Sequence, residues 1–444
     1  MSKAFVINLG CAKNLVDTEY ILGRIIEHGY TIVDDPSDAD IAIVNTCAFI
    51  KPAVEESIDT ILELAQLKDK GHLTSLVIVG CFVQRYGRKL LKEIPQVDGW
   101  VGTGQIYRID EILSAKDNPT PIFLIDRPRF LADHQAPRVQ TTPFYSAYLK
   151  IAEGCSHHCS YCIIPSLRGP FRSRTIDSLY IETKNMVEKG VKEINLVAQD
   201  TTFYGHDLDP LYTLEDLMVK LLTISGLHWL RILYAHPYHV TEGILELIDS
   251  EEILCPYLDV PIQHVNQDIL RAMGRPLQME SIPQFVEKIR KISRKITLRT
   301  TVMIGFPGET EKQFKELCNF IQEAKFERLG VFAFSPEKGT HAAKLKNRIP
   351  QSIVNDRVQQ LIEIQAEISR NSNKELVGKR IPVLIEGLSP ETDLLLTGRT
   401  ATMAPDIDGQ VLINEGTATV GEIVPVHITE AHTYDIVGGI ERAN

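Results

Sequence analysis

No apolar run in this 444-residue chain approaches the ~20 residues that a membrane-spanning helix needs. Nor is a charged and apolar leader visible: MSKAFVINLGC runs straight into a strand-like segment, so no signal peptide is expected. Cysteine is scarce, at 8 residues, which is too sparse for a disulfide scaffold in a chain this long. Positive charge is also short. The 47 Lys and Arg face 58 Asp and Glu, a net −11, so the chain as a whole has no electrostatic bias toward nucleic acid. These absences point to a cytoplasmic protein whose reduced thiols are free for metal rather than crosslinks. At roughly 100–200 residues per domain, the length allows two to four domains.

The first ~130 residues alternate short apolar runs with segments of helical periodicity. Strands are expected at Ala4–Leu9, Ile41–Val44 and Leu76–Val79, and helices at Asn14–His28 and Val54–Leu67. Alternation at this spacing implies βαβ units and a parallel sheet. Each strand runs into a cysteine: Cys11, Cys47 and Cys81. The carboxyl ends of strands form the ligand crevice of an open parallel sheet, so three thiols distant in sequence should converge on one edge. The small Gly10 and Gly80 would let a bulky cofactor approach the backbone. The bland reading is three buried core cysteines, but one topological position occupied three times favours a cluster site. From Asp117 to Pro143 the chain carries five prolines and reads as a linker.

A second set of thiols follows in Glu153–Arg174, EGCSHHCSYCIIPSLRGPFRSR. Cys155, Cys159 and Cys162 stand in a Cys-x3-Cys-x2-Cys array. An iron–sulfur cube normally takes four cysteines; three would leave one iron open to chelate a small molecule. A zinc knuckle is the competing reading, with His157 or His158 as its fourth ligand. The array, with Tyr161 before its last cysteine, resembles that of the S-adenosylmethionine radical enzymes.

From Tyr148 the strand–helix alternation resumes. Strands are expected at Tyr148–Ala152, Glu193–Ala198, Trp229–Tyr234, Tyr257–Ile262, Thr297–Ile304 and Leu329–Phe334. Helices are expected at Ile176–Lys189, Leu214–Ser225, Thr241–Ser250, Asn266–Met273, Met279–Ser293 and Glu309–Ala324. Six βα units suggest an open (β/α)6 partial TIM barrel, with active residues at the carboxyl ends of its strands. The array lies just after the first strand. Gln199 and Asp200, Gln263 and His264, Gly305 with Gly308 and Glu309, and Ser335 with Glu337 follow later strands. Any of these could contact the cofactor, and each could equally be a turn or a helix cap. Tyr161, Gln199, Asp200, Gly305 and Glu309 are the candidates for S-adenosylmethionine. Cys255 and Cys318 are given no role.

A long helical pattern at Ile353–Leu376 leads out of this unit. Short strands at Ile381–Ile385, Leu394–Gly398, Gln410–Ile413 and Ile423–Ile428 then suggest a small closed β-barrel. The fold class expected is therefore α/β in three domains: 1–130, 141–372 and 374–442. The last stretch, from Lys374 onward, carries −6 of the net charge. A barrel that grips RNA needs a basic groove. An acidic one, with Asp406, Asp408 and Glu415 among its carboxylates, is expected to dock a basic protein instead.

The order of these three parts resembles the radical methylthiotransferases over nearly the whole chain, with a TRAM-like tail. One branch of that family modifies adenosine in transfer RNA. The other modifies an aspartate of small-subunit ribosomal protein number twelve. The runs NLGCAKNLVD (Asn8–Asp17), GCSHHCSYCIIPSLRG, YLDVPIQH (Tyr257–His264) and APDIDG (Ala404–Gly409) are similar to the second branch. The resemblance implies two 4Fe-4S clusters, on Cys11, Cys47 and Cys81 and on Cys155, Cys159 and Cys162. It implies S-adenosylmethionine cleaved to a 5′-deoxyadenosyl radical at the second cluster, and sulfur held on the open iron of the first. It also implies a methyl group from a second S-adenosylmethionine, a ribosomal protein as partner and an electron donor protein, with no membrane and no direct nucleic-acid substrate. The transfer-RNA branch, and a two-cluster electron carrier without substrate chemistry, are the alternatives.

Overall fold

The computed structural model describes residues 2–115, 120–275, 280–292 and 294–441. The first sheet contains β1 (Lys3–Asn8), β2 (Thr31–Ile32), β3 (Ile41–Thr46), β4 (Ser75–Gly80), β5 (Gly99–Gly102) and β6 (Ile122–Leu124). Its order is β2-β1-β3-β4-β5-β6 and its pairings are parallel. Every residue of β3 is buried, as a central parallel strand covered on both faces requires. Ala42 and Val44 pack into one core, and Ile41 and Ile43 into another across the sheet.

Three strands went unread, among them the two-residue β2. β5 is a four-residue GWVG. β6 lies inside the proline-rich stretch, which is no free tether. Beyond β6 the same stretch packs against the helix Ala12–Glu27: Val139 donates its amide to Glu19, and Arg138 pairs with both Glu19 and Glu182. Asp117–Pro119 of that stretch lie outside the described residues.

The middle of the chain builds β7 (Ser146–Lys150), an antiparallel pair of β8 (Ala152–Glu153) and β9 (Arg172–Ser173), and then β10 (Glu193–Val197). It continues with β11 (Trp229–Ile232), β12 (Leu254–Asp259), β13 (Thr297–Ile304) and β14 (Arg328–Ala333). Six of these form a parallel sheet in the order β14-β13-β12-β11-β10-β7, the open six-stranded unit that the periodicity implies. Helix starts follow local chemistry. Thr175, Thr213, Thr241, Asn266, Ser281 and Thr310 each accept backbone amides of the turn they cap. The helix expected at Met279–Ser293 is Ile282–Arg290; its two expected end residues lie outside the described residues.

The helix Gln351–Lys374 leads into β15 (Arg380–Ser389), β16 (Thr392–Thr400), β17 (Val411–Glu415), β18 (Ile423–Ala431) and β19 (Ile436–Ile440). These close into a barrel in the order β15-β16-β17-β19-β18. β19, sequence IVGGI, was not expected, because two glycines weaken its strand signal.

The three units share one core. Val16 and Tyr20 of the first, Tyr148, Trp229, Leu233 and Tyr257 of the second, and Leu384 and Ala404 of the third pack together. Polar contacts lock the last seam. Glu193 holds Arg231 at 2.9 Å and Arg399 at 2.7 Å, all three buried. This corrects the expected role of one tail carboxylate, Asp408. The Asp408 side chain is 1% exposed and faces Arg299 and Arg328, and Asp406 accepts the Tyr148 hydroxyl at 3.0 Å. Asp408 thus faces the neighbouring unit rather than a docking partner, whereas Asp406 stays exposed beside its tyrosine. Glu415 remains exposed. Among the described residues no helix is long and apolar enough to cross a membrane.

Candidate functional site

Cys11, Cys47 and Cys81 come together at the carboxyl edge of the first sheet. Cys11 caps the helix Ala12–Glu27, and Cys81 opens the helix Cys81–Tyr86. Asn14 holds the strand ends together, donating to Leu9 and Thr46 carbonyls at 3.1 and 3.0 Å. Gly10 and Gly80 have φ of +130° and +99°, and a Cβ on either would strike the chain itself. At Gly10 it would meet Asn14 and Cys47 at 3.0 and 3.1 Å; at Gly80 it would meet Asn45 and the Thr46 carbonyl at 2.6 and 2.8 Å. The glycines thus let β1, β3 and β4 end close together, rather than clearing open space for a cofactor.

The three thiols are electrostatically unlike. Burial pushes Cys81 up to about 12 and also raises Cys47. Burial pushes on Cys11 too, but Lys13, Arg168 and the amides of Asn14 and Lys13 outweigh it and hold that thiol low. Lys13 is itself held over the Tyr234 ring of the second unit, 3.2 Å from its centre.

The second triad sits in the loop after β8. Short local bonds shape it: Cys162 donates its amide to the Cys159 carbonyl at 3.1 Å, and the Ile164 amide points at Cys162 Sγ at 3.4 Å. Ser160 ties the loop to Met273 and Ala272. Burial raises Cys155 to about 11 and Cys162 to about 12. His157, one of the two candidate fourth ligands of a zinc knuckle, is turned elsewhere: its Nε2 lies 2.6 Å from Asp200. Asp200 also holds His239 Nδ1 at 2.8 Å and accepts Thr202 Oγ1 at 2.7 Å, so both its oxygens are engaged. His236 stacks on His157 at 4.5 Å. The ligand atoms of His157, Asp200, His236 and His239 all lie within 4.8 Å of one another, a spacing one divalent ion could bridge. As arranged, they form a hydrogen-bonded brace that fixes the cysteine loop to the ends of β10 and β11.

One segment joins the two triads. Directly after Cys162, Ile163 and Leu167 enter the core of the first unit, in a cluster that contains Cys81 and Phe82. Thr103 of that unit donates to the Leu167 carbonyl. Arg168 then reaches Asp17 and Glu153, each at 3.0 Å, and Asn14. Lys150 pairs with the same two carboxylates. Two cations and two anions balance inside this buried network. Desolvation opposes the charged form of Glu153, but Arg168 and Lys150 hold its carboxyl well below the usual range. Arg168 also feels the Cys81 and Cys11 thiols.

The candidate cofactor residues fall into two groups. Gln199 donates to Glu153 at 3.1 Å, while its Oε1 is buried with no hydrogen-bond partner among the described residues, an acceptor left for a ligand. Tyr161 lies beside Arg275 and packs on the barrel core. Asp200, by contrast, is spent on the histidine brace. Glu309 is buried and accepts the Gly305 amide with Oε2, while its Oε1, 3.6 Å from Arg357, has no hydrogen-bond partner among the described residues. Sequence reasoning missed Lys13, Asp17, Lys150, Arg168 and Arg275. Arg168 and Asp17 stood inside quoted motifs, but nothing local says that they meet.

Comparison with known proteins fits this geometry. The Uncharacterized protein family UPF0004 matches residues 3–102, the Radical SAM superfamily 149–321 and the TRAM domain 377–440. A ribosomal protein uS12 methylthiotransferase RimO from Geobacter sulfurreducens is 47% identical over 439 residues, covering 99% of this chain and 98% of its own. The chain belongs to the RimO family. RimO proteins from Myxococcus xanthus and Desulforamulus reducens are 45% and 43% identical, with 98% of this chain covered in each case and 91% and 99% of theirs. The radical S-adenosylmethionine methyltransferase TsrM from Kitasatospora setae, solved with cobalamin and a [4Fe-4S] cluster, shares the fold at a TM-score of 0.55. It is 13% identical, with 89% of this chain and 81% of that chain covered. As a RimO family member the chain is a radical S-adenosylmethionine methylthiotransferase, with S-adenosylmethionine and iron–sulfur cofactors. The electron-carrier alternative falls with that assignment.

Proposed function

We propose that this enzyme inserts a methylthio group at the β-carbon of an aspartate in ribosomal protein uS12. The observation that carries the reading is the Ile163–Arg168 segment, which runs from one cysteine triad directly into the core around the other. Cys155, Cys159 and Cys162 would hold one 4Fe-4S cluster, and Cys11, Cys47 and Cys81 a second. Three soft thiolate donors per site fit such clusters and leave one iron of each without a protein ligand. When bound, the clusters and S-adenosylmethionine would supply the hydrogen-abstracting radical, a place to hold the sulfur and the methyl group, chemistry that no side-chain base could perform on an unactivated C–H bond.

The chain's own residues orient and insulate. Arg168 and Lys13 place positive charge beside the first triad, which favours thiolates over thiols at Cys11. The histidine brace fixes the second triad's loop. Gln199 offers its unpaired carbonyl oxygen to the cofactor's polar end, with Tyr161 and the turn at Gly305 as further candidates. The domains divide at 1–130, 141–372 and 374–442. An electron donor protein reduces the enzyme, which works in the cytoplasm and takes neither a membrane nor a nucleic acid as its direct partner. The relatives are named for a ribosomal protein, and the acidic tail suits a basic protein better than transfer RNA. Mass spectrometry of uS12 from cells lacking the gene tests the reading. The aspartate should lose its methylthio mass, and an unchanged uS12 would refute the assignment.

A further inference from the structure

Glu337 belongs to the second unit, four residues beyond β14, yet both its carboxylate oxygens serve the first. Oε2 accepts Arg85 at 2.8 Å, and Oε1 accepts the Lys51 amide at 3.0 Å. The partners lie 252 and 286 residues away in sequence. Arg85 and Glu337 are 7% and 8% exposed, so the pair is shielded from water. Arg85 sits four residues after Cys81, and its other nitrogen donates to the carbonyl of Ala48, next to Cys47, at 2.8 Å. Lys51 begins the 19-residue helix Lys51–Asp69, four residues after Cys47.

That helix lacks a cap of its own. Its N-cap residue is Ile50, which has no acceptor, and Pro52 brings no amide to the first turn. A helix start needs acceptors for its orphan N–H groups and favours negative charge. Glu337 supplies both from another unit. One carboxylate therefore fixes the loop behind Cys47 and the helix behind Cys81 against the end of the last barrel strand. Ser335 adds a hydroxyl donor to the same oxygen that takes the Lys51 amide.

We infer that Glu337 is a positioning residue that latches the Cys47 and Cys81 segments to the mouth of the barrel, and so sets how the two cysteine triads face one another. This rests on the two-cluster reading above. It goes beyond that reading in assigning the transfer step to a contact that touches neither triad. The radical step needs one triad alone; the transfer step needs both in register. A displacement on the order of 1 Å between reacting groups is enough to lose about a hundredfold in rate.

The test uses the full chain with Glu337→Gln, which keeps the shape and removes the charge. Iron and sulfide content, 5′-deoxyadenosine formation and methylthio product on uS12 are measured together. The variant should load iron like the parent and form 5′-deoxyadenosine at the parent's rate. Its product per 5′-deoxyadenosine should fall about tenfold or more. A ratio within about twofold of the parent overturns the proposal. Iron lost in step with product overturns it too, because the residue would then only support the site. In the metal-free chain, hydrogen exchange at the Lys51 amide should quicken about tenfold to a hundredfold, the range expected on weakening a hydrogen bond to a charged group. Unchanged exchange refutes the latch even if the two-cluster reading itself has failed. A parent that makes no methylthio product would refute that reading while leaving the exchange result to decide the latch. Should Glu337→Gln fail to fold, Arg85→Lys keeps the charge but loses the forked contact to Ala48 and Glu337, and the same measurements apply.

Discussion

Glu193 at the start of β10 offers the sharpest test of how the terminal β-barrel is held. Its carboxylate is fully buried and takes four hydrogen bonds. Arg231 donates at 2.9 Å, Arg399 at 2.7 and 3.2 Å, and Ser146 at 2.7 Å. Arg399 comes from the terminal barrel, and Arg231 donates onward to the Ala401 carbonyl of that barrel at 2.8 Å. Glu193→Gln would leave the volume unchanged and strand two buried guanidinium groups, with only Glu386 left to compensate Arg399. Burial alone would raise the Glu193 carboxyl. Arg399 and Arg231 instead bring it from 4.5 to about 2. A shift of that size corresponds to ~3 kcal/mol. Removing one partner of a buried pair is worth about 3–5 kcal/mol by another route, so the two scales agree.

The sign in pH follows from the direction of the shift. The folded state holds Glu193 ionised below its ordinary range, so its contribution is complete above about pH 5. It is lost as the pH falls from 4.5 toward about 2. Thermal unfolding followed by circular dichroism should therefore show Glu193→Gln melting about 3–5 °C below the parent at pH 7. The gap should narrow steadily on acidification below pH 5. A difference under about 1 °C at pH 7, or a gap that widens in acid, would refute the view that this triad carries the seam.

Other outcomes follow from the same contacts. Replacing Cys155, Cys159 and Cys162 together by alanine should leave about half the iron, on the remaining triad, and colorimetric iron counting reads it directly. Replacing Cys11, Cys47 and Cys81 should leave 5′-deoxyadenosine formation and abolish the methylthio product, as mass spectrometry of both would report. Arg168→Met should destabilise the chain by about 3–5 kcal/mol in urea unfolding, since Asp17 and Glu153 would then share Lys150 alone. Asp408→Lys should lower the melting temperature, because that carboxylate faces Arg299 and Arg328, whereas the exposed Glu415→Lys should leave melting unchanged and weaken binding to uS12 at low salt.

What the sequence disclosed was whatever repeats at short range. The run AFVINL and the periodic helix behind it placed β1 and Ala12–Glu27 to within two residues or so. Three strands running into cysteine placed one triad at a sheet edge, because parallel strands end on the same side. Weak signals failed where strands are short or glycine-bearing, as in β5 and β19. The proline-rich stretch misled for a different reason. Proline marks irregular backbone, but irregular backbone can still be packed, and Arg138 packs it against Glu19 and Glu182. Asp408 sits in a turn whose composition reads as solvent-facing; only the fold shows that this carboxylate meets the second unit's arginines. Ion pairs that span more than a hundred residues leave no local trace at all.

Those long-range pairs raise the question of why so much charge is buried between the units. A buried ion pair is weak evidence for stability, since apolar residues of the same volume often serve as well. Its distinguishing property is direction. A core of leucines tolerates a sliding contact, but a carboxylate shared by two donors has one position in which both bonds form. Arg168 with Asp17, Arg138 of the connecting stretch with Glu19 and Glu182, Arg399 with Glu193 and Arg85 with Glu337 each join one unit to another in this way. Three of the four reach the first unit, and two of those three lie within six residues of a cysteine in sequence. Six thiols drawn from two units need one mutual geometry, and hydrophobic burial alone would leave several close in energy. Directional charge pairs favour one such arrangement over its neighbours, and Arg168 and Arg85 place two of them beside the triads.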